Sequence, residues 1–379
     1  MKLSKNLGRI ATTLVATAML ASVSAVPAFA AVYTAVKGGT MPFDKYLVMD
    51  ADANVPTADF TFKIGAGDAV NATANSPEIK KPSDAQVQAV TIIKDGFVPT
   101  DETHDATYAT QQGDTVTLNE GEKYAVDVVT VDFSNVEFST PGVYRFTVTE
   151  SGSVNGVTND TTGTRYIDVY VLDDNGSLKV DKYVFHESNE VAGNDGSFDT
   201  DEKETGFTNT YDTENVTLTK QVEGNMGDKS KDFTFTIEIT SAGGAKTYTI
   251  DGADTDTITT TKQADAEVYT GSATVELCDD ETVTIKGLSE GDTYTITETA
   301  VNGYNTKIAT GTTTSSEDAT ITGTEYADKT VNDATAVTFY NISNASTPTG
   351  IVMNVAPYVL LVVVAAAGCF VFLRKRRED

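Results

Sequence analysis

Between residues 31 and 345 the chain alternates apolar and polar side chains in short runs, and no stretch sustains a helical period. The runs are rich in Val, Ile, Thr, Tyr and Phe: FTFKI, VTIIKD, YAVDVVTVDF, YRFTVTE, RYIDVYVL and LKVDKYVF, then FTFTIEI, KTYTI, ATVEL, TVTIKGL and TYTITE. Turn signals such as Asp174-Asn175-Gly176 and Gly243-Gly244 separate them. A period of two puts every second side chain on one face of a strand, so each run can bury one face and wet the other. The pattern predicts an all-β chain of two tandem β-sandwiches, one over 31–212 and one over 213–345.

The halves repeat more than the alternation. In the first, Lys45 lies in FDKYLVMD, Glu150 closes GVYRFTVTE and Asn209 lies in GFTNTY. In the second, Lys220 lies in VTLTKQV, Glu298 closes DTYTITE and Asn341 follows AVTFY. Each lysine precedes a Phe-Thr-Phe segment, Phe60 to Phe62 and Phe233 to Phe235, so the halves read as a diverged repeat with longer loops in the first. The strand-like segments that carry the lysine, glutamate and asparagine read as the first, penultimate and last parts of each half.

These residue types can close a covalent bond. A lysine amine attacks only when neutral, and burial in an apolar sandwich lowers its pKa from about 10.4. The same burial raises the glutamate, so a proton can pass from amine to carboxylate and leave two neutral partners. The carboxylic acid can then polarise the asparagine amide and hand a proton to departing ammonia. Asparagine supplies the electrophilic carboxamide carbon, and the fold supplies proximity. Such a reaction runs once per domain; the chain is not an enzyme with turnover. A lone lysine, glutamate or asparagine on a strand is ordinarily solvated or capping, and it is the ordered repetition that favours the cross-link. Loops of 164 residues (Lys45 to Asn209) and 121 residues (Lys220 to Asn341) would be closed, each worth about 5 kcal/mol by analogy with disulfide loop entropy.

Composition and the chain ends place this chemistry outside the cell. Residues 1–30 carry Lys2, Lys5 and Arg9, an apolar run and Ala28-Phe29-Ala30, the pattern of a secretory signal cut after Ala30. Ile351 to Leu373 is almost wholly apolar and is followed by Arg374 to Arg377, as in a transmembrane helix with a basic inner flank. Of 27 basic residues, 20 lie between these ends, against 53 of the 55 acidic ones, so that region carries about 33 negative charges in excess. Phosphate contacts, and with them nucleic acid, are excluded as a partner. Cys278 is the one cysteine outside the apolar segment that holds Cys369, so no disulfide within this region can substitute for another cross-link.

At this point the residues resemble known families. The second half, with IKGLSEGDTYTITETAVNGY and VTFYN, resembles the collagen-adhesin B-type (CnaB-like) domains of Gram-positive surface proteins. The first, with FDKYLVMD, PGVYRFTVTE and FTNTY, resembles the isopeptide-linked domains of streptococcal pilin backbones. The resemblance covers Ala31 to Asn341. It implies immunoglobulin-like sandwiches with Lys45–Asn209 and Lys220–Asn341 isopeptide bonds, assisted by Glu150 and Glu298.

The segment 346–379 resembles a cell-wall sorting signal, with Ser346-Thr347-Pro348-Thr349-Gly350 before the apolar run. It departs from the common Leu-Pro-x-Thr-Gly form and is closer to a Val-Pro-Thr-Gly variant. A sortase would take the Thr349 carbonyl as a thioester and pass it to peptidoglycan or to a lysine of another pilin subunit. Lys203, Lys182 and Lys179 are the candidates for that lysine, although none stands in a Tyr-Pro-Lys pattern. An ordinary single-pass membrane protein is the plain alternative. No cofactor is implied. His104 and His186 are too few for a histidine triad or zinc site, and Asp50-x-Asp52-x-Asn54 opens like a calcium loop but has Val55 where the glycine is needed. Two functions follow from these readings. One is a wall-anchored pilin subunit or stalk; the other is a monomeric adhesin binding a host matrix protein or glycan through the segment 71–112.

Overall fold

In the computed structural model, the described residues are 33–345 except 75, 188, 190–203, 255–256, 265, 313–314 and 334, together with 359, 361–367 and 370. The expected signal segment, Lys203, and Pro348, Thr349 and Gly350 lie outside them, as does most of the expected membrane span. Residues 361–367 are helical. Among the described residues no helix is long and apolar enough to cross a membrane.

Strands dominate, as the alternation predicts. The N-terminal half forms two large sheets and a two-stranded one that pairs Val36–Lys37 with Glu137–Phe138. One large sheet runs, in hydrogen-bonded order, Val157–Thr158, Gly206–Tyr211, Thr40–Asp50, Glu122–Asp132 and Thr91–Ile93, with Thr103–His104 also on Glu122–Asp132. The other runs Ser177–His186, Thr164–Asp174, Gly142–Ser151 and Thr61–Ala66, with Ile79–Lys80 also on Gly142–Ser151. The C-terminal half repeats the plan. Its larger sheet runs Thr257–Thr259, Thr247–Asp251, Thr282–Leu288, Glu214–Glu223, Ala336–Ile342, Asn305–Thr310 and Ile321–Thr322. Its smaller sheet runs Thr261–Lys262, Tyr269–Leu277, Phe233–Ser241, Thr293–Glu298 and Glu325–Lys329.

Each half buries its own core between its two large sheets. Phe43, Leu47 and Phe207 of one sheet meet Phe62, Phe146, Val148 and Ile167 of the other in the first cluster. Leu218, Val337 and Phe339 meet Phe235, Ile237, Val275 and Ile296 in the second. The Thr40–Asp50 strand is buried on both faces from Lys45 to Met49, which the alternation alone would not require. Its outward Tyr46 and Val48 are covered by Ala109 and Val116 and lie beside Tyr124 in a third, smaller cluster. The cover is the helix Ala106–Gln112, capped by the Asp105 side chain accepting from the Tyr108 N–H at 2.9 Å and ended by Gly113 at φ 75°.

The halves touch directly. The Thr57 N–H and hydroxyl both donate to the Ala245 carbonyl, at 3.3 and 2.8 Å, and the Asn54 amide donates to Thr249 Oγ1 at 3.2 Å. Asp52 lies 3.4 Å from the Lys286 amine. The segment that opens like a calcium loop is therefore spent on this joint, where two of its three side chains meet the other half. Behind the joint the buried Lys246 amine donates to Asp292 at 2.8 Å and to Ser289 at 2.6 Å, and it lies 5.8 Å from the centre of the Tyr211 ring.

Candidate functional site

The first and last long strands of each half lie side by side and parallel, an arrangement reached because the intervening chain crosses to the other sheet and returns. Register decides which side chains meet. In the first half Lys45 is opposite Phe207 and Asn209 is two residues further on; in the second Lys220 is opposite Phe339 and Asn341 is again two further on. A spacing of two returns to the same face, so both lysines and both asparagines point into the core within reach of a long side chain. The approach of the strands is close at Gly206, where an added Cβ would lie 1.7 Å from the Asp44 carbonyl oxygen. Only glycine fits there.

The glutamates come from the opposite sheet. Glu150 is opposite Phe62 and Glu298 opposite Phe235, the second aromatic of each Phe-Thr-Phe segment. The first aromatic faces the amine: Lys45 Nζ lies 4.7 Å from the centre of the Phe60 ring and Lys220 Nζ 4.3 Å from that of Phe233. The repeated motif thus builds an apolar wall around each amine. One expectation is corrected. Four strands follow Gly142–Ser151 in the first half, and four follow Thr293–Glu298 in the second, so neither glutamate strand is penultimate. Each lies in the interior of its sheet, and an interior strand is what can hold a carboxylate over the centre of the facing sheet.

Each triplet converges in the dry core. Lys45 Nζ forms an ion pair with Glu150 Oε1 at 2.9 Å, and Asn209 Nδ2 donates to the same oxygen at 3.3 Å. Lys220 Nζ donates to Glu298 Oε2 at 3.2 Å while Asn341 Nδ2 donates to Oε1, so one carboxylate bridges amine and amide. Both lysines and both asparagines are at most 1% exposed. Desolvation is the larger influence throughout. It lowers Lys45 and Lys220 to about 8 against the pull of their carboxylates, and raises Glu150 and Glu298 against the pull of the amines. The second carboxylate oxygen of Glu150, Oε2, is buried without a hydrogen-bond partner, a further disadvantage for its anion.

The carboxylates face the amide nitrogens, the leaving side of the asparagines. The carbonyl oxygens are engaged by other groups. Asn209 Oδ1 accepts from the backbone N–H of Asp160 at 2.8 Å, and Asn341 Oδ1 accepts from the Thr306 hydroxyl at 2.8 Å. Asp160 is held by its own carboxylate, which accepts from the Thr162 and Thr208 N–H groups, both at 2.8 Å, and pairs with Arg165 at 3.0 Å. Sequence reasoning missed Asp160, Arg165 and Thr306. Thr306 is opposite Asn341 across an antiparallel pair, which only the register reveals. The arrangement supplies a nucleophile of lowered basicity, an acid at the leaving group and a donor at the carbonyl oxygen, which is what amide exchange needs.

The other candidate residues lie apart from this chemistry. Lys182 is half-buried on the edge strand Ser177–His186 with its amine 4.6 Å from the centre of the Tyr170 ring, and Lys179 is exposed, 3.8 Å from Asp181. His104 stacks on Tyr108, and His186 is buried 3.4 Å from Asp168, whose carboxylate also takes two 2.7 Å bonds from Arg145. Among the described residues no group of acidic, histidine or cysteine side chains is placed to hold a metal.

Residues 41–212 match the family described as the Spy0128-like isopeptide containing domain, and residues 214–343 match a domain of unknown function, DUF7601. Over 355 residues the chain is 29% identical to a protein named pilin from Streptococcus pyogenes serotype M1, covering 90% of this chain and 92% of that one. Two solved structures share the fold. One is a point mutant of the major pilin from Streptococcus pyogenes, 24% identical, covering 81% of this chain and 100% of that one, with a TM-score of 0.52. The other is a further major pilin from that organism, 22% identical, covering 82% and 99%, with a TM-score of 0.53.

Proposed function

Because residues 41–212 belong to the Spy0128-like isopeptide-domain family, we propose that the chain is a structural subunit of a surface pilus, stiffened by two bonds that it forms itself. Lys45 joins Asn209 and Lys220 joins Asn341, with Glu150 and Glu298 moving the proton from amine to departing ammonia. The observation that carries this reading is the repetition of one geometry. Two sites far apart in sequence share the same two-residue offset between parallel strands, the same aromatic facing the amine and the same glutamate from the opposite sheet. Solvated or capping residues have no reason to share all of these.

The topology suits a load-bearing role. A pull on the start of the lysine strand and on the end of the neighbouring parallel asparagine strand shears the pair along its length. A covalent bond between them carries that load before the ladder hydrogen bonds do. Export by the segment 1–30, CnaB-type sandwiches over 31–212 and 213–345, and sortase transfer of Thr349 to a lysine of another subunit or to peptidoglycan complete the reading. Of the linking candidates, exposed Lys179 meets an enzyme more readily than half-buried Lys182; Lys203 lies outside the described residues.

Two measurements test it. The intact mass of the exported protein should fall short of its sequence mass by two ammonia molecules. On a denaturing gel, surface extracts should show a ladder of covalent polymers that collapses when Thr349 is replaced. A full sequence mass would remove the cross-links, and monomer alone in the extracts would remove the pilus.

A further inference from the structure

The carboxamide oxygen of Asn341 has a donor of a different kind from that of Asn209. In the first half the donor is a backbone N–H, fixed by the loop around Asp160. In the second it is a side-chain hydroxyl, that of Thr306, itself buried on Asn305–Thr310 and directly opposite Asn341. The orientation of the amide is set by its neighbours. Nδ2 donates to Glu298 Oε1, and Oδ1 on the other side accepts from the Thr306 hydroxyl. The hydroxyl at 2.8 Å lies within the distance at which an oxyanion donor acts.

We propose that Thr306 is a catalytic residue of the second cross-link, donating its Oγ1–H to the oxygen on which negative charge develops. The proposal rests on the Lys220–Asn341 reading above. In the step, the neutral Lys220 amine bonds to Asn341 Cγ and the carbonyl electron pair moves onto Oδ1, held by the Thr306 hydroxyl. Glu298 delivers its proton to Nδ2 and, as the carboxylate so formed, takes one from the attacking Lys220 nitrogen, which lies 3.2 Å from its Oε2; the Cγ–Nδ2 bond breaks as the carbonyl re-forms. An amine and a carboxamide become a secondary amide and ammonia, with no oxidant or co-reactant.

The test is a time course on the full chain made by cell-free translation, stopped and sampled, with each cross-linked peptide measured by mass spectrometry. The Lys45–Asn209 bond in the same molecule is the internal clock. Thr306→Val keeps the shape and removes the donor; it should slow the second bond by about 10²- to 10³-fold and leave the first unchanged. Thr306→Ser keeps the hydroxyl and should stay within about tenfold of the parent, because the donor it retains is the one whose loss costs those factors. Equal rates for Thr306→Val and the parent overturn the proposal. So do equally slow rates for the valine and serine variants, which mark a packing role. Thr306→Val is also made in a Lys220→Met background, where no second bond forms; a large fall in melting temperature there likewise assigns Thr306 to packing. If the parent chain itself loses no ammonia at the second site, the cross-link reading fails and the proposal with it.

Discussion

Replacing Lys220 with methionine isolates what the proposed second bond would contribute to stability. The substitution fills nearly the same volume in an apolar pocket walled by Phe233 and Phe235 and removes the nucleophile. It leaves no unpaired ammonium, and Glu298, already pushed upward by burial, can stay neutral. What is lost is closure of a loop of 121 residues. In the chain-entropy treatment that loop is worth about 16 cal/mol/K, or about 5 kcal/mol at 25 °C. The matched segment 214–343 would unfold with an entropy of about 270 cal/mol/K near its midpoint, so the loss corresponds to a drop of about 18 °C in melting temperature. Scanning calorimetry on parent and variant reads it directly, with the first half as an unshifted reference, and intact mass verifies that the variant retains one more ammonia than the parent. A shift below about 5 °C, with the mass difference present, would refute the claim that closure of the unfolded chain is what the bond contributes. No mass difference would refute the bond.

Further expectations concern the same two sites and the joint. Glu150→Ala and Glu298→Ala should each restore one ammonia to the intact mass, and a variant that still loses both would show that the carboxylate is dispensable. The reactive pair, neutral amine beside neutral acid, holds one proton, as the ion pair does, so the rate of bond formation should be flat between the raised glutamate pKa and about 8. It should fall above about 8, where the shared proton is lost, and fall again in acid, where a second proton locks the ammonium; a rate still climbing past pH 9 in a time course would sink the acid's role. Gly206→Ala should block docking of the asparagine strand and abolish the first bond while sparing the second, as peptide mapping would reveal. Asp292→Asn leaves the buried Lys246 amine without its anion and should destabilise the second half by about 3–5 kcal/mol in denaturant titration.

Strands were legible because alternation is a local property, and the runs read from composition and period coincide with Gly142–Ser151, Phe233–Ser241 and most of the others. The two-face burial of Lys45 to Met49 was not. Its cover, Ala106–Gln112, lies some sixty residues away and carries no strong amphipathic pattern. The glutamate segments fall between those of the lysine and the asparagine, and order along the chain cannot say which strand is interior to a sheet.

By itself the sequence determined the chemical types available: two lysines, two glutamates and two asparagines in one order, each set with a Phe-Thr-Phe segment and with no disulfide to compete. Whether those groups meet is a matter of register, since a slip of one residue in a parallel pair would turn each asparagine out of the core. Tertiary structure decided the two-residue offset, the apolar wall that lowers the amines to about 8, and the donors to the carbonyl oxygens. It also decided that these donors differ, a backbone N–H of Asp160 in one half and the hydroxyl of Thr306 in the other. Hydrogen bonds between residues brought together only by sheet pairing leave no periodic trace in the chain, and one threonine among many looks like any other until its partner strand is in place.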